Sequence, residues 1–346
     1  MAIRVLIVDD SATMRSILAA RLVNEHDIQI VGTAANAQEG RAQIKLLEPD
    51  VVTLDIEMPG MNGLEFLDKI MTLRPTPVII VSSLTQRNGD VTARALALGA
   101  VDCYCKTDYS GPTLDDGGKL ASLIRQAAQV RVRRHSADLG RIAAPLRGAA
   151  RGSKLIAVGS STGGVEALQV LLRSFPEDCP PTMIVQHVDA RFAPAIARTL
   201  DAASPARVLI AEPDTPLERG HVYLAPGGER HMTVGGGGGR GLHVKLRPGE
   251  PVSGHRPSVD ALFQSVAEIV GAQAVGVLLT GMGADGAKGL LAMAQAGAHT
   301  IAQDEASCTV FGMPRVAISL GAAQVVAPLG AIAQHALAGP SVRQIA

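Results

Sequence analysis

The sequence predicts an α/β chain of two successive domains, each built on a parallel sheet, and three observations carry that prediction. Short apolar runs alternate with amphipathic stretches through residues 5–132, the pattern of strands joined by helical crossovers. A segment rich in Arg, Ala and Gly then loses all apolar periodicity, and the alternation resumes at Leu155. The length of 346 residues fits this division, because single hydrophobic cores stop growing near ~250 residues. With 47% hydrophobic and 18% charged residues, the chain has material for two buried cores. Its 37 Gly and 20 Pro suit many short turns rather than a disordered state.

In chain order, strands are expected at Val5–Val8, Ile28–Val31, Val51–Leu54, Val78–Val81 and near Asp102–Cys105. Helices are expected at Thr13–Val23, Ala37–Leu47, Gly63–Leu73, Asp90–Leu98 and from Lys119 to Val132. Five strands each followed by a helix close a flavodoxin-like unit over residues 1–132. Residues 133–153, with Arg133, Arg134, Arg141, Arg147 and Arg151, read as a basic flexible linker. Such a stretch could face an acidic partner, but a solvated hinge is the simpler reading. A second, doubly wound α/β domain follows over residues 154–346. Its strands are expected at Leu155–Val158, Thr182–Val185, Val208–Ile210, Val222–Leu224, Val275–Leu279 and Thr300–Ala302. Gly235 to Gly239 reads as a flexible hairpin connection between strands ending at Val234 and starting at Leu242.

Composition excludes several function classes. Thirty-two basic residues balance 32 acidic ones, so nothing global recommends nucleic acid or an anionic membrane as partner. Small molecules or proteins are the expected partners. Cys103, Cys105, Cys179 and Cys308 form no Cys-x-x-Cys arrangement, which fits reduced thiols in a cytoplasmic protein. The amino-terminal apolar run is short and is stopped by Asp9 and Asp10, unlike a signal peptide. No run approaches the ~20 apolar residues of a membrane helix, so no membrane insertion is expected.

Chemistry concentrates at strand ends. The apolar run Leu155–Val158 leads into Gly159-Ser160-Ser161-Thr162-Gly163-Gly164 and then into a helix-like stretch from Val165 to Leu172. A serine on such a turn is held at the carboxyl edge of a sheet, where the following helix offers free N–H groups to a developing oxyanion. The same turn also suits an anion-binding loop, and the segment alone leaves both readings open. A serine nucleophile needs a base and an orienting acid. His187 follows the strand Thr182–Val185, and Asp285 follows the strand Val275–Leu279. His255 and His299 remain alternatives for the base, as Asp304 does for the acid.

In the first domain, Asp9 and Asp10 follow strand one, Asp55 strand three, Ser82 strand four and Lys106 strand five. Carboxyl ends of parallel strands converge on one crevice. Three carboxylates gathered there repel unless a cation holds them, and oxygen donors of this kind suit Mg²⁺. A phosphoryl group on Asp55 would meet the Ser82 hydroxyl and the Lys106 ammonium.

Asp9-Asp10, the run Asp55-Ile56-Glu57-Met58-Pro59-Gly60-Met61-Asn62-Gly63, Ser82 and Lys106 together resemble the receiver domain of bacterial response regulators. The resemblance implies that Asp55 is the phosphoacceptor, that Asp10, Asp55 and the Glu57 carbonyl bind Mg²⁺, and that a histidine kinase is the phosphodonor. Two positions depart from that pattern: Thr107 replaces a proline, and Cys103 replaces an aromatic that is displaced to Tyr104. The displacement turns the aromatic to the opposite face of its strand and puts the usual serine–aromatic switching route in doubt.

The second half resembles chemotaxis-type protein-glutamate methylesterases. The resemblance rests on Gly159 to Gly164, Gln186-His187, Tyr223 to Gly227, Arg256-Pro257-Ser258-Val259-Asp260, Thr280 to Gly289, Gln303-Asp304-Glu305 and Val310 to Pro314. It implies Ser161 as nucleophile, His187 as general base, Asp285 as the group orienting it, Thr162 as flanking residue and the Met282 backbone as oxyanion donor. It also implies hydrolysis of γ-methyl esters on chemoreceptor helices, deamidation of receptor glutamines, and a receiver that covers the active site until Asp55 is phosphorylated. Ser160 stands where that family commonly has alanine, and a second hydroxyl there implies residual activity in a Ser161→Ala variant. Val188 to Phe192 replace the usual segment after the histidine, so Asp189 and Arg191 would alter receptor recognition. The competing reading is a response regulator whose second half is a non-catalytic binding module.

Overall fold

A computed structural model describes residues 2–58, 63–83, 86–106, 116–130, 153–237 and 240–338. The chain divides into two compact units, Met1–Asp138 and Leu139–Ala346. Thr107 and residues 133–152 of the expected linker lie outside the described residues.

The first unit alternates β1 (Ile3–Val8), α1 (Ala12–Leu22), β2 (Ile28–Ala34), α2 (Ala37–Leu47), β3 (Val51–Asp55), α3 (Gly63–Leu73), β4 (Val78–Ser82), α4 (Gln86–Ala97), β5 (Asp102–Cys105) and α5 (Lys119–Ala127). The sheet is parallel with order β2-β1-β3-β4-β5, the expected flavodoxin-like winding. Every residue of β3 and β4 is buried, because helices cover both faces of a parallel sheet and leave no face for polar alternation. Helix starts follow local chemistry. Asn36 accepts a hydrogen bond from the Glu39 N–H at 2.9 Å while the Glu39 carboxylate accepts the Ala35 N–H at 2.9 Å, a reciprocal cap on α2.

The second unit contains β6 (Leu155–Ser160), α6 (Gly164–Arg173), β7 (Thr182–Gln186), α7 (Ala193–Asp201), β8 (Arg207–Ile210), β9 (His221–Leu224), β10 (Arg230–Gly237) and β11 (Arg240–Pro248). There follow α8 (Val259–Ile269), β12 (Ala274–Leu278), α9 (Ala287–Gln295), β13 (His299–Gln303), α10 (Met313–Ser319), β14 (Val325–Ala327) and α11 (Leu329–Ala338). Seven parallel strands order as β14-β13-β12-β6-β7-β9-β8. β6, the first in sequence, is therefore central, with β12, β13 and β14 added outward on one side and β7, β8 and β9 on the other, where β9 inserts between β7 and the edge strand β8. The crevice at such a reversal, at the carboxyl ends of the strands, is where open α/β sheets bind ligands.

One hydrophobic core gathers Val259, Leu262, Phe263, Leu290, Met293 and Met313 from α8, α9 and α10, together with Met232, Val234 and Val244 of the antiparallel β10–β11 hairpin, which packs against α8. Two details differ from the sequence reading. Gly235, Gly236 and Gly237 continue β10 rather than forming a connection, and β14 was not anticipated, being three residues long with only Ala327 buried.

Candidate active site

Ser161, His187 and Asp285 follow β6, β7 and β12, which are adjacent at the centre of the sheet. Ser160 pairs in register with Gln186 across β6 and β7, so Ser161 and His187 each lie one residue beyond that pair. Gln186 ties the two together: its amide nitrogen donates to the Ser161 carbonyl at 2.9 Å and to the His187 carbonyl at 3.0 Å.

His187 Nε2 lies 2.8 Å from Asp285 Oδ2. The carboxylate also accepts the Ser258 hydroxyl at 2.7 Å and the N–H groups of Val259 at 2.7 Å and Asp260 at 3.0 Å. Asp285 thus sits on the amino-terminal end of α8, where unsatisfied N–H groups and the helix dipole favour an anion. Burial alone would raise its pKa, but the hydrogen bond and charge of His187, with Ser258 and Asp260, outweigh burial and hold it below the ordinary carboxylate range.

With Nε2 committed to Asp285, His187 Nδ1 is buried and without a hydrogen bond among the described residues. Against the face of this ring lies His255, its centroid 3.7 Å away and its plane inclined by 6°.

The loop after β12 closes on Ser161. A Cβ on Gly281 would stand 2.8 Å from Ser161 Cβ and 2.3 Å from Met313 Sδ, so only glycine permits this approach. The Gly281 carbonyl accepts N–H groups of Gly312 and Met313 at 3.1 and 2.8 Å, and its N–H donates to Val310. Thr280 joins the pieces: its carbonyl accepts the Ser161 N–H at 3.0 Å, and its hydroxyl faces the Thr162 carbonyl at 3.0 Å. The N–H groups of Met282 and Thr162 are left uncommitted among the described residues.

Alternatives left open by the sequence separate here. Asp304 accepts Ser307 N–H and hydroxyl at 2.9 and 2.6 Å, closing its own turn. His299 faces Gln324 at 3.3 Å. Ser160 is fully buried and donates to Gln186 Oε1 at 2.6 Å.

In the first unit, the carboxylates of Asp9, Asp10 and Asp55 each place an oxygen within 4.8 Å of the others. Lys106 Nζ reaches Asp55 at 2.6 Å and Asp9 at 3.1 Å. Asp55 accepts the Glu57 N–H at 3.0 Å. Ser82 is fully buried; its hydroxyl donates to the Ser83 carbonyl at 3.2 Å and its carbonyl accepts the Lys106 N–H at 2.9 Å. Burial first, and Asp55 second, push the Asp9 carboxyl above its ordinary value.

A family model described as CheB methylesterase matches residues 156–336, and one described as response regulator receiver domain matches residues 5–109. The chain belongs to the CheB methylesterase family. A relative named protein-glutamate methylesterase/protein-glutamine glutaminase 1, from Caulobacter vibrioides, is 51% identical over 99% of both chains. One named protein-glutamate methylesterase/protein-glutamine glutaminase, from Agrobacterium fabrum, is 49% identical over 96% of this chain and 95% of its own. The crystal structure of the Thermotoga maritima CheB methylesterase catalytic domain aligns with a TM-score of 0.51 at 34% identity, covering 54% of this chain and 97% of that one.

Against the receiver pattern, Tyr104 is the departure whose place the structure explains. Its hydroxyl donates to Asp116 at 2.6 Å and accepts from Arg21, whose guanidinium lies 5.6 Å from the ring centroid. The ring is fully buried. Sequence reasoning gave no role of their own to Gln186, Ser258 and Thr280, which bond to Ser161, Asp285 and the Thr162 carbonyl. Only Ser258 carried a local signal, a serine directly before an apolar helical run.

Proposed function

We propose that the second unit is a serine hydrolase that removes γ-methyl esters from glutamates of chemoreceptor helices and deamidates receptor glutamines, with turnover governed by phosphorylation of Asp55. The observation that carries the reading is the bond from His187 Nε2 to Asp285, beside Ser161 on adjacent strand ends. A ligand-binding module has no need of a buried carboxylate aligned on a histidine. The family relationship favours the same conclusion over a non-catalytic output domain.

In this mechanism Ser161 Oγ attacks the ester carbonyl and His187 Nδ1, the nitrogen left free by Asp285, takes the serine proton. Asp285, held ionised at the helix terminus, stabilises the imidazolium. The uncommitted N–H groups of Met282 and Thr162 receive the oxyanion. The C–O bond to methanol breaks as His187 returns the proton to the leaving oxygen. Water then attacks the acyl-enzyme, giving a proton to His187, and the glutamate leaves as Ser161 regains its hydrogen. For glutamine the leaving group is ammonia.

In the receiver, Asp9, Asp10, Asp55 and the Glu57 carbonyl would hold Mg²⁺, which supplies charge neutralisation for a phosphoryl group on Asp55. Clustered carboxylates with a raised Asp9 suit such a cation. Lys106 and Ser82 would bind the phosphoryl oxygens, with a histidine kinase as donor. A receiver over 1–132, a linker over 133–153 and a catalytic domain over 154–346 complete the reading. No helix among the described residues is long and apolar enough to cross a membrane; a cytoplasmic place is part of the proposed reading. Methanol release from methylated receptor, with and without a small-molecule phosphodonor, tests the reading on wild type, Ser161→Ala and Asp55→Ala. Release from Ser161→Ala equal to wild type overturns the catalytic assignment, and a phosphodonor response retained in Asp55→Ala overturns the control.

A further inference from the structure

We infer that His255 is a positioning residue that sets the plane of the His187 ring. The inference rests on His187 being the general base. The hydrogen bond at Nε2 leaves rotation about Cβ–Cγ loosely restrained, because Nε2 lies nearer that axis than Nδ1 does. A terminal torsion of this kind has a broad energy profile. Nδ1, which has to meet the Ser161 proton, sweeps furthest when the ring turns. A flat surface against the ring removes that freedom, and His255 provides one at 3.7 Å and 6°.

The platform is itself fixed. Val252 and His255 exchange both backbone hydrogen bonds, at 3.1 and 3.0 Å, around a turn of Ser253 and Gly254 with φ of 54° and 81°. The Ser253 hydroxyl donates to Asp260 Oδ2 at 2.9 Å, and Asp260 Oδ1 accepts the Gly289 N–H at 2.7 Å on α9. Arg256 donates to the Gly249 carbonyl at 2.8 Å. Residues 252–260 therefore hold His187 twice, through the stacked ring and through the Ser258, Val259 and Asp260 groups that orient Asp285. The stacked ring is also electrically suitable. Burial first, then His187, push His255 down to about 4, so it stays neutral and adds no like charge when His187 becomes an imidazolium. The groups facing it are His187 and Asp285.

The test uses full-length protein carrying His255→Ala, His255→Asn or His255→Phe, with methanol release from methylated receptor resolved into kcat and KM, and thermal melting in parallel. Loss of alignment of this kind costs up to ~10²-fold, so the Ala and Asn variants are expected to lose ~10- to 100-fold in kcat with KM nearly unchanged. Phe, a ring without nitrogens, is expected to restore most of that loss. Wild-type kcat in the Ala variant, or equal kcat in Asn and Phe, overturns the inference. Should Ala melt early, the comparison of Asn with Phe decides alone. A His187→Ala control separates the two levels: turnover retained there overturns the base assignment, whereas turnover lost there and unaffected in His255→Ala overturns only the stack.

Discussion

The Ser160 hydroxyl donates to Gln186 Oε1 at 2.6 Å across β6 and β7, and this bond commits one of two adjacent serines to the core. Consecutive residues on a strand point to opposite faces, so Ser160 enters the core while Ser161 emerges at the sheet edge. The expectation that Ser160 could sustain a Ser161→Ala variant gives way to a sharper one. Ser161→Ala is expected to lose at least ~10³-fold in turnover, with no contribution from its neighbour. Ser160→Ala is expected to keep turnover while destabilising the domain by about 1–3 kcal/mol, because the buried Gln186 oxygen loses its donor. Methanol release and chemical denaturation measure the two effects, and the opposite pattern would assign the nucleophile to Ser160.

Asp285 is surrounded by donors: Ser258, Val259, Asp260 and His187. An amide in its place must aim an NH₂ group at one of them. Asp285→Asn is therefore expected to lower kcat by ~10²- to 10⁴-fold and to reduce stability together with it. Ser258→Ala removes one donor and the α8 cap, costing about 1 kcal/mol, with a much smaller kinetic effect. Equal kinetic losses in the two variants would deny Asp285 a distinct role in orienting His187.

Much of this arrangement was readable in the sequence because a parallel sheet writes itself as near-continuous apolar runs, such as Leu155–Val158 and Thr182–Val185, whose ends mark one edge. Strand-end position brought Ser161, His187 and Asp285 to that edge. It could not choose between His187 and His255, because His255 reaches the site from a turn before α8 rather than from a strand. β14 escaped because Val325 and Val326 are not buried and supply no core signal. The glycines of β10 read as a flexible insert. Gly235 instead lies so close to His243 that a Cβ would stand 2.5 Å from its Nε2.

His255 makes a prediction about acid stability. Its folded pKa of about 4 lies below the unfolded value of ~6.5, so between these pH values the unfolded chain binds the extra proton. Stability consequently falls as pH drops from ~6.5 towards 4, and this component is fully lost below 4. His255→Phe is expected to flatten that part of the stability profile. Denaturation midpoints of wild type and variant across this range check it, and parallel profiles would show that His255 titrates normally.

The acid cluster of the receiver predicts a stabilising response to divalent cation. Asp9 carries a pKa raised by burial first and by Asp55 second, with Lys106 opposing. Its folded value exceeds the unfolded one, so the stability it contributes is present at low pH and is lost as pH rises through the folded pKa. At neutral pH the cluster therefore carries a repulsive cost that Lys106 offsets in part. Burial, the largest single influence, would lower the Lys106 pKa, yet the hydrogen bonds and charges of Asp55 and Asp9 together outweigh it and raise it, which keeps the ammonium charged. A cation held by Asp9, Asp10 and Asp55 would relieve the remainder. At a Mg²⁺ concentration tenfold above the dissociation constant the gain is about 1.4 kcal/mol. Calorimetry of the full chain is expected to show the receiver transition moving upward with Mg²⁺. Asp9→Asn is expected to melt higher than wild type without Mg²⁺ and to respond less to it. A wild-type transition indifferent to saturating Mg²⁺ would remove the cation from this site.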